Sequence, residues 1–157
     1  MKKLELLLFL TLLPAIIVAQ QKNVMVMEIK TEIDPAMRRY VELALDHANS
    51  TKADIVIIEM DTYGGVFTDA KEIVQMLMNF KQPVWVYINS DAASAGALIS
   101  IACDSIYMSE GASIGAATVV DGSGQKAPDK YQSYMRSIMR STAQANHRNP
   151  QIAEGMV

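Results

Sequence analysis

From residue 24 to residue 145 the apolar positions switch between short continuous runs and a spacing of three to four residues. Each switch marks a predicted element. Val24 to Lys30 is apolar and β-branched enough for a strand. Asp34-Pro35 then supplies a helix cap and a proline for the first turn, after which Met37, Val41, Leu45 and Ala48 recur at helical spacing. Ala53 to Glu59 is a near-continuous β-branched run, which predicts a strand covered on both faces. Gly64-Gly65 breaks that run, and Thr68 to Phe80 reads as a helix carrying Ile73, Met76, Leu77 and Phe80 on one face. Pro83 to Asn89 is a third strand, and a small-residue helix follows from about Ala93 to Ala102. Asp104 to Ser109 and Ser113 to Val120 read as short strands around glycine turns, and residues 121–127 as a polar loop. Pro128-Asp129 is read as the cap of a last helix, Lys130 to about Ala145. Strand–helix alternation with short connectors predicts parallel βαβ units with right-handed crossovers in one layered α/β domain.

The first twenty residues follow another rule. Lys2 and Lys3 precede an apolar stretch from Leu6 to Val18, and Ala19 stands before Gln20-Gln21-Lys22. That layout predicts a signal peptide or N-terminal anchor over residues 1–20, hence an exported, membrane-associated or periplasmic protein, with the folded domain at 21–157. The last residues, Ile152 to Val157, carry no polar tail, which is the expectation for a piece of a longer protein.

Composition narrows the chemistry. Half of the 157 residues are hydrophobic, a fifth are charged, and the net charge is −3. A disordered chain is excluded, and no basic face is offered to nucleic acid. Cys103 is the only cysteine, so neither an intrachain disulfide nor a thiolate metal cluster is available. Its apolar neighbours make it a buried small hydrophobe. His47 and His147 fit no metal-ligand spacing, and no metal or organic cofactor is implied.

Parallel sheets place ligands at the carboxyl ends of their strands, and two segments of unusual composition leave strands there. In Asp61-Thr-Tyr-Gly-Gly-Val66 the glycine pair lets the backbone turn sharply and expose N–H groups, as an oxyanion hole requires, although a plain tight turn has the same composition. In Asn89-Ser-Asp-Ala-Ala-Ser94-Ala-Gly-Ala97, Ser94 falls at a helix start. Unpaired N–H groups there favour developing negative charge, and the alanines with Gly96 leave room for a substrate backbone. Serine is also a common helix cap. Two such segments on neighbouring strands shift the balance, since one can supply a nucleophile and the other an oxyanion donor. A serine nucleophile needs a base. His47 lies late in a solvated helix end and His147 lies past the last helix, so a lysine lowered by desolvation is the better candidate. Lys130, at the start of the last helix after a flexible glycine-containing loop, is one candidate and Lys126 a nearby competitor, and the residues alone do not choose between them.

Taken in order, Ile57-Ile-Glu-Met-Asp-Thr-Tyr-Gly-Gly65, Ala92-Ala-Ser-Ala-Gly96, Gly111-Ala-Ser-Ile-Gly-Ala116 and Ala127-Pro-Asp-Lys130 resemble the NfeD family of membrane-bound Clp-class serine proteases, partners of stomatin-like proteins. The resemblance runs from about residue 24 to the end and includes Arg148-Asn149-Pro150 and Ile152-Ala-Glu154. It implies a Clp/crotonase-like layered fold of repeated ββα and βαβ units with a mainly parallel sheet. It implies an ATP-independent Ser–Lys dyad, with Ser94 as nucleophile and Lys130 as base. The backbone N–H groups of Gly65 or Val66 and of Ala95 would form the oxyanion hole, and Gly64 and Gly96 would border the substrate. Substrates would be hydrophobic segments of membrane proteins, with a stomatin-like partner and at least a homodimer. The loop before Lys130 looks shorter than in archaeal members, and the family's membrane helices and C-terminal barrel are not in this chain. Clp peptidase proper carries a histidine near the positions of Val119-Val120; this chain has none there. The competing readings are a signal-peptide-peptidase-like protease, a crotonase-like acyl-CoA enzyme, and a non-catalytic module that binds a stomatin-like protein.

Overall fold

A computed structural model describes residues 21–157. The predicted signal peptide or anchor, residues 1–20, lies outside the described residues. Among those described, no helix is long and apolar enough to cross a membrane.

The elements run β1 (Val24–Ile29), α1 (Pro35–Ser50), β2 (Ile55–Thr62), α2 (Phe67–Asn79), β3 (Val84–Ala93), α3 (Ala95–Ile101), β4 (Ser105–Met108), β5 (Ser113–Gly115), α4 (Asp129–Ala145) and α5 (Pro150–Glu154). The start of α1 follows the predicted chemistry. The Asp34 carboxylate accepts a 2.7 Å hydrogen bond from the Met37 N–H, and Pro35 opens the first turn. The start of α4 does not. Pro128 occupies the cap position with no side-chain hydrogen bond, and Asp129 is already helical, where its charge favours the positive end of the dipole. Nor is α4 the last helix. Asn149 caps the short α5, its Oδ1 accepting from the Gln151 and Ile152 N–H groups.

All the strand pairs are parallel, in the order β1-β2-β3-β4, with β5 on the far end of β3. Helices cover one face only. Met27, Ile29, Val56, Ile58, Met60, Val84, Val86 and Ile88 point into the core beneath them, with Val41, Leu45, Ile73 and Leu77 from α1 and α2. The opposite face is half open: Val26 is 58% exposed and Tyr107 51%, while Ile57 and Trp85 are partly buried. The expectation that β2 is covered on both faces is therefore corrected. Its β-branched residues alternate between a buried and a half-buried face, and the outer one is shielded mainly by aromatic neighbours such as Trp85 and Tyr107, which meet edge to face.

The ladder between β2 and β3 loses register near its carboxyl end. Met60 pairs with Ile88, but Thr62 pairs with Ala92, so two steps along β2 match four along β3. The two extra residues fall just beyond the stretch paired with β4, and the last three residues of β3 pair with β5, which takes over from β4 along the same edge. Strand β3 thus runs four residues past the predicted Asn89, and Ser94 follows it directly. Strand β5 is shorter than predicted and ends at Gly115.

At the neighbouring strand end, the loop after β1 closes on the turn after β2. The Ile33 N–H donates to the Gly64 carbonyl (2.8 Å) and the Val66 N–H donates to the Ile33 carbonyl (2.6 Å). Gly65 sits at that bridge with φ +151°, and a Cβ there would stand 2.2 Å from the Ile33 oxygen. Neither the angle nor the space admits a side chain.

Two predictions follow from this packing. Gly65→Ala should destabilise the domain by at least about 2 kcal/mol, combining backbone strain with a backbone clash, as measured by urea unfolding. Burial pushes the Cys103 thiol up to about 12, so it stays protonated through neutral and mildly alkaline pH. Iodoacetamide at pH 8 should therefore alkylate it only after denaturation; rapid alkylation of the folded protein would contradict its placement in the core.

Candidate active site

Ser94 stands at the junction of β3 and α3 with φ 53° and ψ −113°, a backbone conformation that costs a non-glycine residue of order 1–3 kcal/mol. A serine held on a sharp strand-to-helix turn has its hydroxyl pushed out of the backbone's way and toward solvent. Three contacts hold the turn. The Ser94 N–H donates to the Gly115 carbonyl of β5 (2.8 Å), and the Ser94 carbonyl accepts from the Ala97 and Leu98 N–H groups at 3.1 and 3.3 Å. The third is steric. Gly64, at φ +111°, comes so near that a Cβ on it would lie 2.6 Å from Ser94 Cβ and 3.1 Å from Oγ. The strand ends beneath are tied by Asp91, whose carboxylate accepts from the Ser113 hydroxyl (2.6 Å) and the Ser90 hydroxyl (3.0 Å). Those two hydrogen bonds, Ser113's foremost, hold its carboxyl below the ordinary aspartate range. Ser94 is half-buried, and its hydroxyl has no hydrogen-bond partner among the described residues.

A cleft of about 570 Å³ opens over Ser94. Gly65, Val66 and Phe67 line one side, Ala95 the floor, and residues 116–122 with Met135 the other. The sequence left Gly65 and Val66 as alternative donors, and the geometry separates them. The Val66 N–H is already bonded to Ile33, whereas the N–H groups of Gly65 and Ala95 have no partner among the described residues. An anion formed at Ser94 therefore has two unoccupied backbone donors beside it, one from each predicted segment.

The remaining residues fall further out. Gly64 backs onto Ser94 from the inner side of the turn, and its N–H donates to Thr62 Oγ1 (3.2 Å). Gly96 is buried, with a notional Cβ 2.7 Å from Thr62 Cγ2, so it permits close packing of α3 on β2 and does not line the cleft. Lys130 is exposed in the first turn of α4. Its Nζ lies 5.3 Å from the Tyr131 ring centroid, outside the cleft lining, and is not hydrogen-bonded to Ser94. Lys126 is also exposed, 3.9 Å from Asp129. His47 and His147 are exposed, and neither lines the cleft.

Sequence reasoning missed the wall of residues 117–121, which it read as strand running into loop. Its backbone groups alternate. The Ala117 N–H donates to Met156, Val119 is bonded through both N–H and carbonyl, and the Asp121 N–H donates to Gln125. Between them the N–H and carbonyl groups of Thr118 and Val120 have no partner among the described residues. Along one side of the cleft this is an unpaired strand edge.

Comparison with known proteins bears directly on this arrangement. The family described as NfeD1b, N-terminal domain, matches residues 23–157. The membrane protein NfeD1b of Bacillus subtilis is 33% identical over 138 residues, covering 88% of this chain and 32% of that protein. The membrane-bound protease PH1510 of Pyrococcus horikoshii is 34% identical over 145 residues, covering 87% of this chain and 33% of that protein. The chain thus spans about a third of the length of these relatives. Among solved structures, the 1510-N membrane-bound stomatin-specific protease matches as a serine-to-alanine mutant (TM-score 0.80, 32% identity, 87% of this chain and 70% of that one). It matches again as a lysine-to-alanine mutant in complex with a substrate peptide (TM-score 0.82, 32% identity, 88% and 67%). ClpP1 of Listeria monocytogenes, at 20% identity and a TM-score of 0.64 over 83% of this chain and 76% of that one, shares the fold. With a parallel α/β sheet of Clp-like form and a family match that runs almost the length of the described chain, this protein belongs to the NfeD family, within its NfeD1b N-terminal domains.

Proposed function

We propose that this domain is a serine endopeptidase in which Ser94 is the nucleophile, Lys130 the general base, and the Gly65 and Ala95 N–H groups the oxyanion hole. The observation that carries the reading is Ser94 itself. It is held in a strained strand-to-helix turn with a free hydroxyl, between two unpartnered backbone donors. The relatives support the chemical class, since one is named a protease and its solved forms include a serine mutant and a lysine mutant.

The substrate is a peptide laid along the cleft. Its backbone pairs with the open groups of Thr118 and Val120, the mode by which an extended segment adds to an unpaired edge. Phe67, Val66 and Met135 make the surroundings apolar, which suits a hydrophobic segment. Lys130 accepts the Ser94 proton as Oγ attacks the scissile carbonyl, and the C–O bond forms. The tetrahedral oxyanion is held by Gly65 and Ala95. The C–N bond then breaks, with the proton passing from lysine to the leaving amine. Water, activated by the same lysine, releases the acyl group and restores the Ser94 hydroxyl. This requires Lys130 to leave the Tyr131 ring and turn into the cleft, from a helix start joined to the cleft wall by a flexible-composition loop. The mutated serine and lysine of the relative stand five residues further apart along their chain than Ser94 and Lys130, which is the shorter loop expected from sequence. By the same family reading, the natural substrate is a hydrophobic segment of a stomatin-like membrane protein, cleaved at the membrane without ATP by a dimer or larger assembly.

A fluorophosphonate serine-hydrolase probe should label the purified domain, and Ser94→Ala should abolish labelling; a mutant that still labels removes Ser94 from the role. For the base, Lys130→Ala should lower kcat/KM for peptide cleavage by roughly 10²–10⁴-fold, the range that general bases contribute, with Lys126→Ala near wild type. The reverse pattern would transfer the role to Lys126.

A further inference from the structure

Gln132 is an uncharged polar residue in the first turns of an amphipathic helix, where a solvent-facing side chain is the ordinary outcome. It is instead 1% exposed. Its side chain reaches back toward the start of α4, as helical side chains do, and spends its whole amide on main-chain groups. Oε1 accepts from the Val119 N–H (2.9 Å), while Nε2 donates to the Val119 carbonyl (2.7 Å) and to the Ala127 carbonyl (2.9 Å). The two contacts to Val119 are those a neighbouring β-strand would make. The amide group substitutes for a strand on the inner side of the wall.

The rest of the wall is built round that clamp. The Ala127 N–H donates to the Val119 carbonyl (2.9 Å), Val120 and Lys126 form an antiparallel bridge, and the turn is closed by Asp121 and Gln125 (2.8 Å). Asp121 Oδ1 caps the turn through the Ser123 and Gln125 N–H groups. This hairpin is small, and a two-stranded hairpin has little stability of its own. Apart from the Ala117–Met156 bond at its base, the Thr118 hydroxyl on the Val157 carbonyl (3.0 Å) and the exposed Lys126–Asp129 ion pair (3.9 Å), Gln132 supplies the polar contacts that tie the hairpin to the body of the domain among the described residues. Because backbone groups alternate in direction along an extended chain, fixing Val119 inward turns Thr118 and Val120 outward, into the cleft.

We infer that Gln132 is a positioning residue for peptide cleavage: by clamping both main-chain groups of Val119 it sets the register and orientation of the open edge at Thr118 and Val120 against which the substrate backbone lies. This rests on the reading of Ser94 as nucleophile, and it extends that reading to a residue that touches neither the substrate nor the reacting atoms.

The test separates the two. A small fluorophosphonate reacts at Ser94 without spanning the wall, whereas an internally quenched apolar peptide of about ten residues must lie along it. Gln132→Met keeps the volume and removes all three hydrogen bonds. It should lower kcat/KM for the peptide at least tenfold, with probe labelling within about threefold of wild type. If that variant does not fold, Gln132→Glu keeps the shape while its carboxylate lacks the amide donor, and the same pattern is expected. Peptide cleavage at the wild-type rate overturns the proposal. So does an equal loss in both assays, which would make Gln132 a general stabilising contact. Wild-type protein that the probe does not label at Ser94 overturns the underlying reading instead.

Discussion

Two side chains that are not there govern this structure. The turn after β2 passes so near its neighbours that a Cβ on Gly64 would meet Ser94 and one on Gly65 would meet the Ile33 backbone. The first approach keeps Ser94 from relaxing out of its left-handed conformation, since the space it would move through is occupied by main chain. The second allows Ile33 to take the Val66 N–H and leave that of Gly65 free. One residue pair thereby fixes both the exposure of the hydroxyl and the choice of donor beside it. Any bulk added there disturbs stability and site together.

What brings Ser94 to this turn is the slip in register between β2 and β3. Without the two extra residues of β3, Thr62 would stand opposite Ser90 instead of Ala92, and Ser94 would lie two residues further beyond the glycine turn. With them, the strand end draws level with the turn after β2 and pairs on its other edge with β5, where the Gly115 carbonyl and the Asp91–Ser113 pair anchor it. The sheet thus divides into a regular half, whose buried face carries the core, and an irregular end that carries the cleft. Stability and chemistry occupy separate parts of the same strands.

How much of this was legible in the chain depends on whether a residue's role is local. The first three strands and four of the helices are marked by apolar spacing and by Asp34-Pro35, so their existence could be read directly. Ser94 and Gly64-Gly65 were legible because small residues at strand ends are informative by themselves. The end of β3 was not, since Asn89, Ser90 and Asp91 read as loop until their pairing with β5 is known. The half-covered sheet was misjudged because β-branched residues suit a partly exposed face shielded by aromatics as well as a buried one. Gln132 gave no signal at all. A glutamine in a helix looks like surface, and only the main-chain groups of Val119 and Ala127, in a hairpin whose fold is not legible from its residues, explain its burial. Lys130 was legible as the start of a helix, but its place over the Tyr131 ring, outside the cleft lining, was not.

The bond from the Ala117 N–H to the Met156 carbonyl has a bearing on the order in which the molecule comes together. One side of the cleft is fastened to the segment just after α5, while the opposite side depends on Ile33, near the beginning of the described chain. The Ile33 contacts span about as much chain as the pairing of β1 with β2 and can form with it, whereas the Ala117–Met156 contact waits for α5 to dock. During synthesis, a chain that has emerged only through α3 already holds Ser94 and the glycine turn but has no opposing wall. The cleft is completed only when the residues around 156 have docked, so a partly folded chain carries Ser94 and the glycine turn without the opposing wall.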